Sequence, residues 1–308
     1  MKILVLGAGA VGGYFGGRLV QKGVDVTFLV REKRQQQLEK HGLMIRSIHG
    51  DAHLNVRAIR SGEQVEPYDL IILTTKAYHF EEGIASIAPY VGKHTLILPL
   101  LNGVAHMDRL VERFGKDNVL GGLCFIETTL TEAGEVVQTS KRHEFTFGEW
   151  QGENSERLQE LAELFSNANA TFTLSTSIVR DMWHKYLFIT TLSGITTLMN
   201  AAVGPIREAQ FGKELTLQLA EETASVMRGL GAPIDEDIVT KQMEMFWKQA
   251  DTMKASMLRD MEKGLPVEAN HLQGYLLQAA KRLQIATPLL QIVYTNLAVY
   301  ENKRSSRS

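Results

Sequence analysis

Cysteine is nearly absent from this 308-residue chain. The only one, Cys124, excludes an intramolecular disulfide and fits a reducing compartment. It lies in the apolar run Leu123-Cys124-Phe125-Ile126, so it reads as a small buried hydrophobe rather than a nucleophile. Excess charge is missing too. The 33 basic and 35 acidic residues leave a net charge of −2 and are mixed along the chain, so there is no basic stripe for nucleic acid. Near the end, Lys303, Arg304 and Arg307 stand among serines and read as a frayed terminus. Long hydrophobic runs are also lacking. The longest, Tyr186 to Ala202, carries Thr190, Thr191, Ser193, Thr196, Thr197 and Asn200, too polar for a membrane span. The chain opens on a strand-like run with no signal-peptide pattern. These absences predict a soluble, cytoplasmic protein that binds neither membrane nor nucleic acid. The nine histidines show no metal-ligand spacing; His49 and His53 stand four apart, but in a segment that reads as strand and turn. No metal is expected.

What is present suffices for two cores. Apolar residues make up 44% of the chain, and the length allows two domains. The first half alternates short apolar strands with helices. Ile3–Leu6, Val24–Val30, Leu70–Leu73 and Leu96–Leu98 read as strands, with helices over Val11–Gln21 and Glu32–Lys40. Such alternation implies a parallel sheet covered on both faces. Leu43–Ile48, Leu54–Ile59, Val136–Thr139 and Phe145–Phe147 read as β-structure at this domain's edge. The character changes near Thr171–Ser175. From Ile178 onward strand signals vanish. Leu215, Leu219, Val226, Met227 and Leu230 recur at helical spacing. Met182–Met199 is apolar on most faces, as in a helix buried within a bundle, and Gly204-Pro205 marks its end. Gly264 and Pro266 separate two later helices. The expectation is an α/β domain over 1–173 and an all-α domain over 174–308.

Gly7-Ala8-Gly9-Ala10-Val11-Gly12 fits the pattern G-x-G-x-x-G. It follows an apolar strand and opens a helix, which is the context of a Rossmann dinucleotide-binding turn. Gly7 permits the turn, Gly9 lets the backbone approach a pyrophosphate, and Gly12 lets the helix pack closely. The helix N-terminus offers free N–H groups to the phosphates. An NAD-binding chain places an acidic residue at the end of the second strand, for the ribose 2′-hydroxyl. Here Val30 and Arg31 hold that place, with Lys33 and Arg34 after them. An arginine suits a 2′-phosphate, which predicts NADPH rather than NADH. Glu32 competes for the position, and is expected to begin the next helix facing solvent.

The order of motifs resembles the ketopantoate reductases (2-dehydropantoate 2-reductases) along nearly the whole chain. It rests on Met1-Lys2-Ile3 through Gly17, Thr75-Lys76-Ala77, Asn102-Gly103, Trp183-His184-Lys185, and Ser256-Met257-Leu258-Arg259-Asp260 followed by Glu268. The resemblance implies a Rossmann domain plus a helical domain like that of 6-phosphogluconate dehydrogenase. It implies NADPH-dependent reduction of 2-dehydropantoate to (R)-pantoate, a step towards pantothenate and coenzyme A, by a monomer or homodimer. It assigns Lys185 and Glu268 as catalytic, Ser256 as a substrate contact, Lys76 as reaching into the cofactor site, and Asn102 as the loop residue serving substrate and cofactor. Three positions depart from the family. Where its members present asparagines four and eight residues after the lysine, this chain has Ile189 and Ser193. Leu101 stands where glutamine is frequent.

The residue types suit the chemistry. Hydride addition to a carbonyl needs a group that polarises the oxygen and then protonates it. Lys185 lies in the most apolar helix, where burial disfavours its charged form and suits a proton donor. A lysine snorkelling from the helix is the structural alternative. Lys185, Ile189 and Ser193 are spaced four apart and share one face, the natural floor of a substrate site. Ser256 and Asp260 are also four apart. Ser256 can hold a carboxylate; Asp260 either orients Lys185 or a backbone group, or is a plain surface charge. Glu268 is expected in the first turn of the next helix, where a carboxylate is favoured by the dipole and can be a simple cap; the family resemblance implies instead a bond to the substrate hydroxyl and Lys185. His184 is expected to point away from Lys185. Reduction of a different branched 2-oxo acid and a non-catalytic NADP sensor are the competing readings.

Overall fold

Four apolar residues buried on both faces, Ile3–Leu6, make β1. Such runs belong in the middle of a parallel sheet, where helices cover both sides. The computed structural model describes residues 1–150 and 155–306. It divides into two compact units, residues 1–101 with 106–179, and residues 102–105 with 180–308.

The first unit holds two sheets. Strands β1, β2 (Val26–Leu29), β5 (Arg57–Ile59), β6 (Leu70–Leu73) and β7 (Leu96–Pro99) form a parallel sheet in the order β5-β2-β1-β6-β7. This is a Rossmann order, and its switch point is where ligands of such sheets bind. A second sheet joins β3 (Leu43–Ser47), β4 (Ala52–Leu54), β8 (Leu120–Leu130), β9 (Val136–Glu149) and β10 (Thr171–Leu174), with β8 antiparallel to β9. The segments expected as edge β-structure are therefore redistributed. Leu54–Ile59 is two strands in different sheets, and Val136–Thr139 and Phe145–Phe147 are parts of one long strand. The 11-residue β8 was hidden in its own apolar run; pairing with β9 reveals it. Helices α1 (Ala10–Lys22), α2 (Glu32–His41), α3 (Phe80–Ile87), α4 (Met107–Phe114) and α5 (Glu156–Phe165) complete the unit.

Helix α1 lies between the two sheets, and its glycines explain how. A Cβ on Gly16 would sit 2.7 Å from Phe28 of β2. On the opposite face, a Cβ on Gly17 would sit 2.6 Å from Ile45 of β3, and one on Gly13 2.8 Å from Val136 of β9. The helix stops at Gly23, whose φ of +95° is the left-handed cap that L side chains avoid. Phe15, Phe145, Phe165 and Phe172 interlock edge-on and tilted beneath it. Cys124 is buried in this core.

The second unit is all-helical. It contains most of α6 (Ile178–Met199), then α7 (Val203–Glu208), α8 (Gly212–Gly229), α9 (Ile238–Trp247), α10 (Ser256–Glu262), α11 (Tyr275–Leu283) and α12 (Pro288–Ser305). A π-helical turn, Asn270–Gly274, leads directly into α11. Helix α6 is central. Its Gly194 admits Leu219 of α8 and Val293 of α12, which a Cβ would meet at 2.8 and 3.2 Å. Three of its buried hydroxyls are satisfied within the helix: Thr191, Thr196 and Thr197 donate to carbonyls four residues back, while the Thr190 hydroxyl is buried without a partner. Two expected boundaries move. Gly204-Pro205 lies inside α7 rather than ending α6, because Met199 is the last α6 residue. Lys303 and Arg304 are not frayed; they close α12, and Arg304 pairs with Glu301 at 2.9 Å. Arg307 lies outside the described residues. Among the described residues no helix is long and apolar enough to cross a membrane.

Candidate active site

The glycine turn follows the carboxyl end of β1. Gly7 adopts φ +96°, and its N–H donates to the Leu29 carbonyl of β2 at 2.9 Å. Thr74, just past β6, donates its hydroxyl to the Leu6 carbonyl at 2.8 Å. Gly12 has no room for a side chain: a Cβ would lie 2.2 Å from the Gly7 carbonyl oxygen. Gly9 is the reverse. It caps α1 with extended backbone, and a Cβ there would meet nothing within 4 Å. Gly12 is therefore spared a side chain by the protein itself, whereas the space at Gly9 is left for something else. The first turn of α1, Ala10-Val11-Gly12, carries no acidic residue, so the positive end of its dipole is uncompensated. Open space before an uncompensated helix N-terminus fits a pyrophosphate.

The flanking groups come from neighbouring strand ends. Arg31 caps α2 just after β2. It is exposed, and its Nη2 lies 2.6 Å from Glu82 and 3.3 Å from His79 Nδ1. An exposed pair of this kind contributes about 0–1 kcal/mol, so a phosphate can displace it. Glu32 begins α2, lies in solvent and approaches Arg60 at 3.5 Å, in line with the expected outward orientation. Lys76 is half-buried and caps the short 3-10 turn Ala77–His79 beyond β6. Arg34, one turn after Arg31, has a role that its place in the sequence did not show. Its Nε donates to the Ala8 carbonyl at 2.9 Å and its Nη1 to the Gly134 carbonyl at 2.9 Å. Its Nη2 is buried without a partner, and burial holds the guanidinium pKa below its ordinary value. Arg34 thus buttresses the glycine turn from α2.

In the second unit, Lys185 and Ser193 are both buried on α6, Lys185 with 7% exposure. Ile189, between them, is half-buried. Neighbouring His184 bonds the chain at Asp235. Its Nε2 accepts from the Asp235 N–H at 3.1 Å, and burial holds its pKa below the ordinary value. The π-turn reaches this helix twice. The Tyr186 hydroxyl donates to the Leu272 carbonyl at 2.5 Å, and Gln273 donates Nε2–H to Ser193 Oγ at 2.8 Å. Glu268 precedes this turn rather than lying within a first helical turn. Its carbonyl accepts the N–H groups of His271 and Leu272 at 3.1 and 3.0 Å. The His271 ring hydrogen-bonds the Asn102 backbone and lies within electrostatic reach of Glu268. Asn102, Glu268 and the α6 face are thereby assembled around one turn. Sequence reading missed His271, Gln273 and Tyr186. Their only signal was position beside residues already singled out.

Ser256 and Asp260 share α10. Ser256 is the first residue of α10 and is exposed. Asp260, four residues on, acts on Tyr300 of α12; burial first, then Glu301 and Asp260, hold that phenol above its usual pKa. No side-chain group of three or more His, Cys, Asp or Glu that could hold a metal occurs among the described residues. His49 stacks on His143 at 3.7 Å, while His53 bonds the His41 carbonyl, so the pair has separate partners.

Comparison with known proteins agrees with this geometry. The ketopantoate reductase PanE/ApbA sequence profile matches residues 3–152, and the profile of its C-terminal region matches residues 177–301. An uncharacterized oxidoreductase of Bacillus subtilis strain 168, YkpB, is 44% identical over 304 residues, 99% of this chain and 100% of that protein. The crystal structure of 2-dehydropantoate 2-reductase from Geobacter metallireducens superposes with a TM-score of 0.88 at 28% identity, covering 97% of this chain and 99% of the other. D-mandelate dehydrogenase, solved with NADH and anilino(oxo)acetate, shares the fold with a TM-score of 0.88 at 22% identity over 99% of both chains. Two profiles in register with the two units, and an end-to-end relative, place this chain in the ketopantoate reductase family of oxidoreductases.

Proposed function

We propose that this chain reduces a branched 2-oxo acid, 2-dehydropantoate first, to the 2-hydroxy acid at the expense of NADPH. The observation that carries the reading is the joining of Asn102, Glu268 and the Lys185 helix through one π-turn. In this reading Gly7, Ala8, Gly9, Ala10, Val11 and Gly12 hold the pyrophosphate, Arg31 takes the 2′-phosphate, and Lys76 and Asn102 complete the cofactor site. NADPH supplies, when bound, the hydride that adds to the 2-oxo carbon.

The protein's own work is charge and proton management. Lys185, buried on α6, polarises the carbonyl oxygen and donates its Nζ proton as the carbon is reduced. Water then restores that proton. Glu268 bonds the substrate hydroxyl and Lys185, while Ser256 and Asn102 bind the polar groups of the acid. Ser193 supplies a hydroxyl to the substrate side of α6. Asp260 remains a candidate through its electrostatic link to Tyr300. Loss of NADPH absorbance on adding 2-dehydropantoate tests the reading. No turnover with any 2-oxo acid, alongside tight NADPH binding, supports the sensor instead.

A specific observation favours a second substrate within the same chemistry. Ile189 presents an apolar side chain, and Ser193 accepts from Gln273. The acid's distal end therefore meets an environment other than two carboxamides. Ranking kcat/KM over a panel of branched and aromatic 2-oxo acids separates the two substrates. A buried proton donor has no use in a mere binder, which favours an enzyme over a sensor.

A further inference from the structure

The turn Asn270–Gly274 is wound as a π-helix. Such turns are rare and concentrate at functional sites. This one is fastened at three successive residues. His271 bonds the Asn102 backbone through its ring, Leu272 accepts the Tyr186 hydroxyl through its carbonyl, and Gln273 reaches Ser193. Tyr186 is the neighbour of Lys185. Two N–H groups of the turn end on the Glu268 carbonyl.

The loop contact is close. Gly103 adopts φ +78°, and a Cβ there would lie 3.0 Å from Leu272 Cδ2 and 3.6 Å from His271 Cδ2. The ring's bond to Asn102 favours the protonated imidazole, so a ring N–H donates to the Asn102 carbonyl. Burial works against that charge and is the larger effect, so the ring's pKa lies below its ordinary value. A packing role alone would be met by leucine; the half-buried imidazole adds an N–H that has a partner.

We propose that His271 is a positioning residue. Its ring N–H pins the Asn102 carbonyl, so that the Asn102 side chain and the Glu268 carboxyl are presented as one set beside the Lys185 helix. The proposal rests on the oxo-acid reductase reading. It extends that reading to a residue that touches neither substrate nor cofactor.

Two substitutions test it. His271→Gln keeps a donor; His271→Leu keeps bulk and removes the donor. A displacement of about 1 Å at a reacting constellation costs on the order of 100-fold, so His271→Leu is expected to lower kcat about that much. The KM for NADPH is expected to rise by less than kcat falls, because the glycine turn and Arg31 are untouched, and His271→Gln to recover at least about a tenth of the lost rate. Equal kcat in His271→Leu and wild type overturns the proposal, as does equal loss in both variants with matching falls in Tm. Amide exchange of residues 102–105 is read on the same proteins. Faster exchange in His271→Leu, restored in His271→Gln, supports the pin even if wild type reduces no oxo acid, an outcome that defeats only the reductase reading. Unchanged exchange in His271→Leu overturns the pin. If His271→Leu does not fold, His271→Gln and His271→Ala are compared by the same two readouts.

Discussion

Alanine substitutions at Gly9 and Gly12 separate two demands that the same motif makes. At Gly12 a Cβ would sit 2.2 Å from the Gly7 carbonyl oxygen and 2.3 Å from Thr74 Oγ1. Neither is a free side-chain end: one is backbone, and the Thr74 hydroxyl is spent on the Leu6 carbonyl. Overpacking of this kind costs about 1–3 kcal/mol, and backbone overlap puts Gly12→Ala at the upper end. At about 2–4 °C per kcal/mol for a unit of this size, Tm falls by about 6–12 °C. Gly9 has φ −81° and nothing within 4 Å, so Gly9→Ala is expected to shift stability by under about 0.5 kcal/mol. The methyl instead occupies the space proposed for the pyrophosphate. Loss of one charge-assisted hydrogen bond there, about 1.5–3 kcal/mol, weakens NADPH by roughly 10- to 150-fold. Thermal unfolding and a fluorescence titration with NADPH read the two effects separately. Unchanged NADPH affinity in a folded Gly9→Ala protein refutes the placement of the phosphates at this turn.

Other outcomes follow from the second unit and from charge. Lys185→Ala is expected to lower kcat by about 10²–10⁴ while leaving NADPH affinity nearly intact; normal single-turnover rates in the variant would end its assignment as proton donor. Arg31→Asp is expected to cut the NADPH-over-NADH preference by at least about tenfold, measured as the ratio of kcat/KM values, because it replaces a bidentate cation with a repelling anion. An unmoved ratio would transfer the clamp elsewhere, with Arg34 the nearest guanidinium on α2. Stability is expected to fall as pH drops below neutrality. His143, His184 and His271 are held below the ordinary imidazole value of 6.5, in each case first by burial. Between 6.5 and those lower folded values the unfolded chain binds more protons, so stability is fully present above 6.5 and is lost as pH falls through the window. Urea unfolding from pH 7.5 to 5.5 checks the sign, with His184→Gln flattening the slope; a rising stability would contradict it.

Local pattern carried much of the fold. The approximate α1 boundaries, the four buried strands and the all-helical second half were legible because period is a property of neighbouring residues. The second sheet was legible only in pieces, as β3 and two parts of β9; β8 and the continuity of β9 show themselves only by pairing with each other. The doubled glycine pattern of α1 was not legible. Gly12 has its reason within the motif, whereas Gly13 and Gly17 answer to Val136 and Ile45, far along the chain.

The chain alone determined the chemistry on offer: a phosphate-binding turn, a basic residue at the second strand's end, and a lysine on the most apolar helix. Tertiary structure decided how those residues are held. Arg34 braces the turn from below, Glu268 stands ahead of its helix instead of inside it, and His271 ties Asn102 into the helical unit. The division has one physical cause. Residue type and spacing set what a side chain can do, but a hydrogen bond between distant segments exists only once the surrounding core has brought donor and acceptor together and excluded the water that would otherwise compete for both.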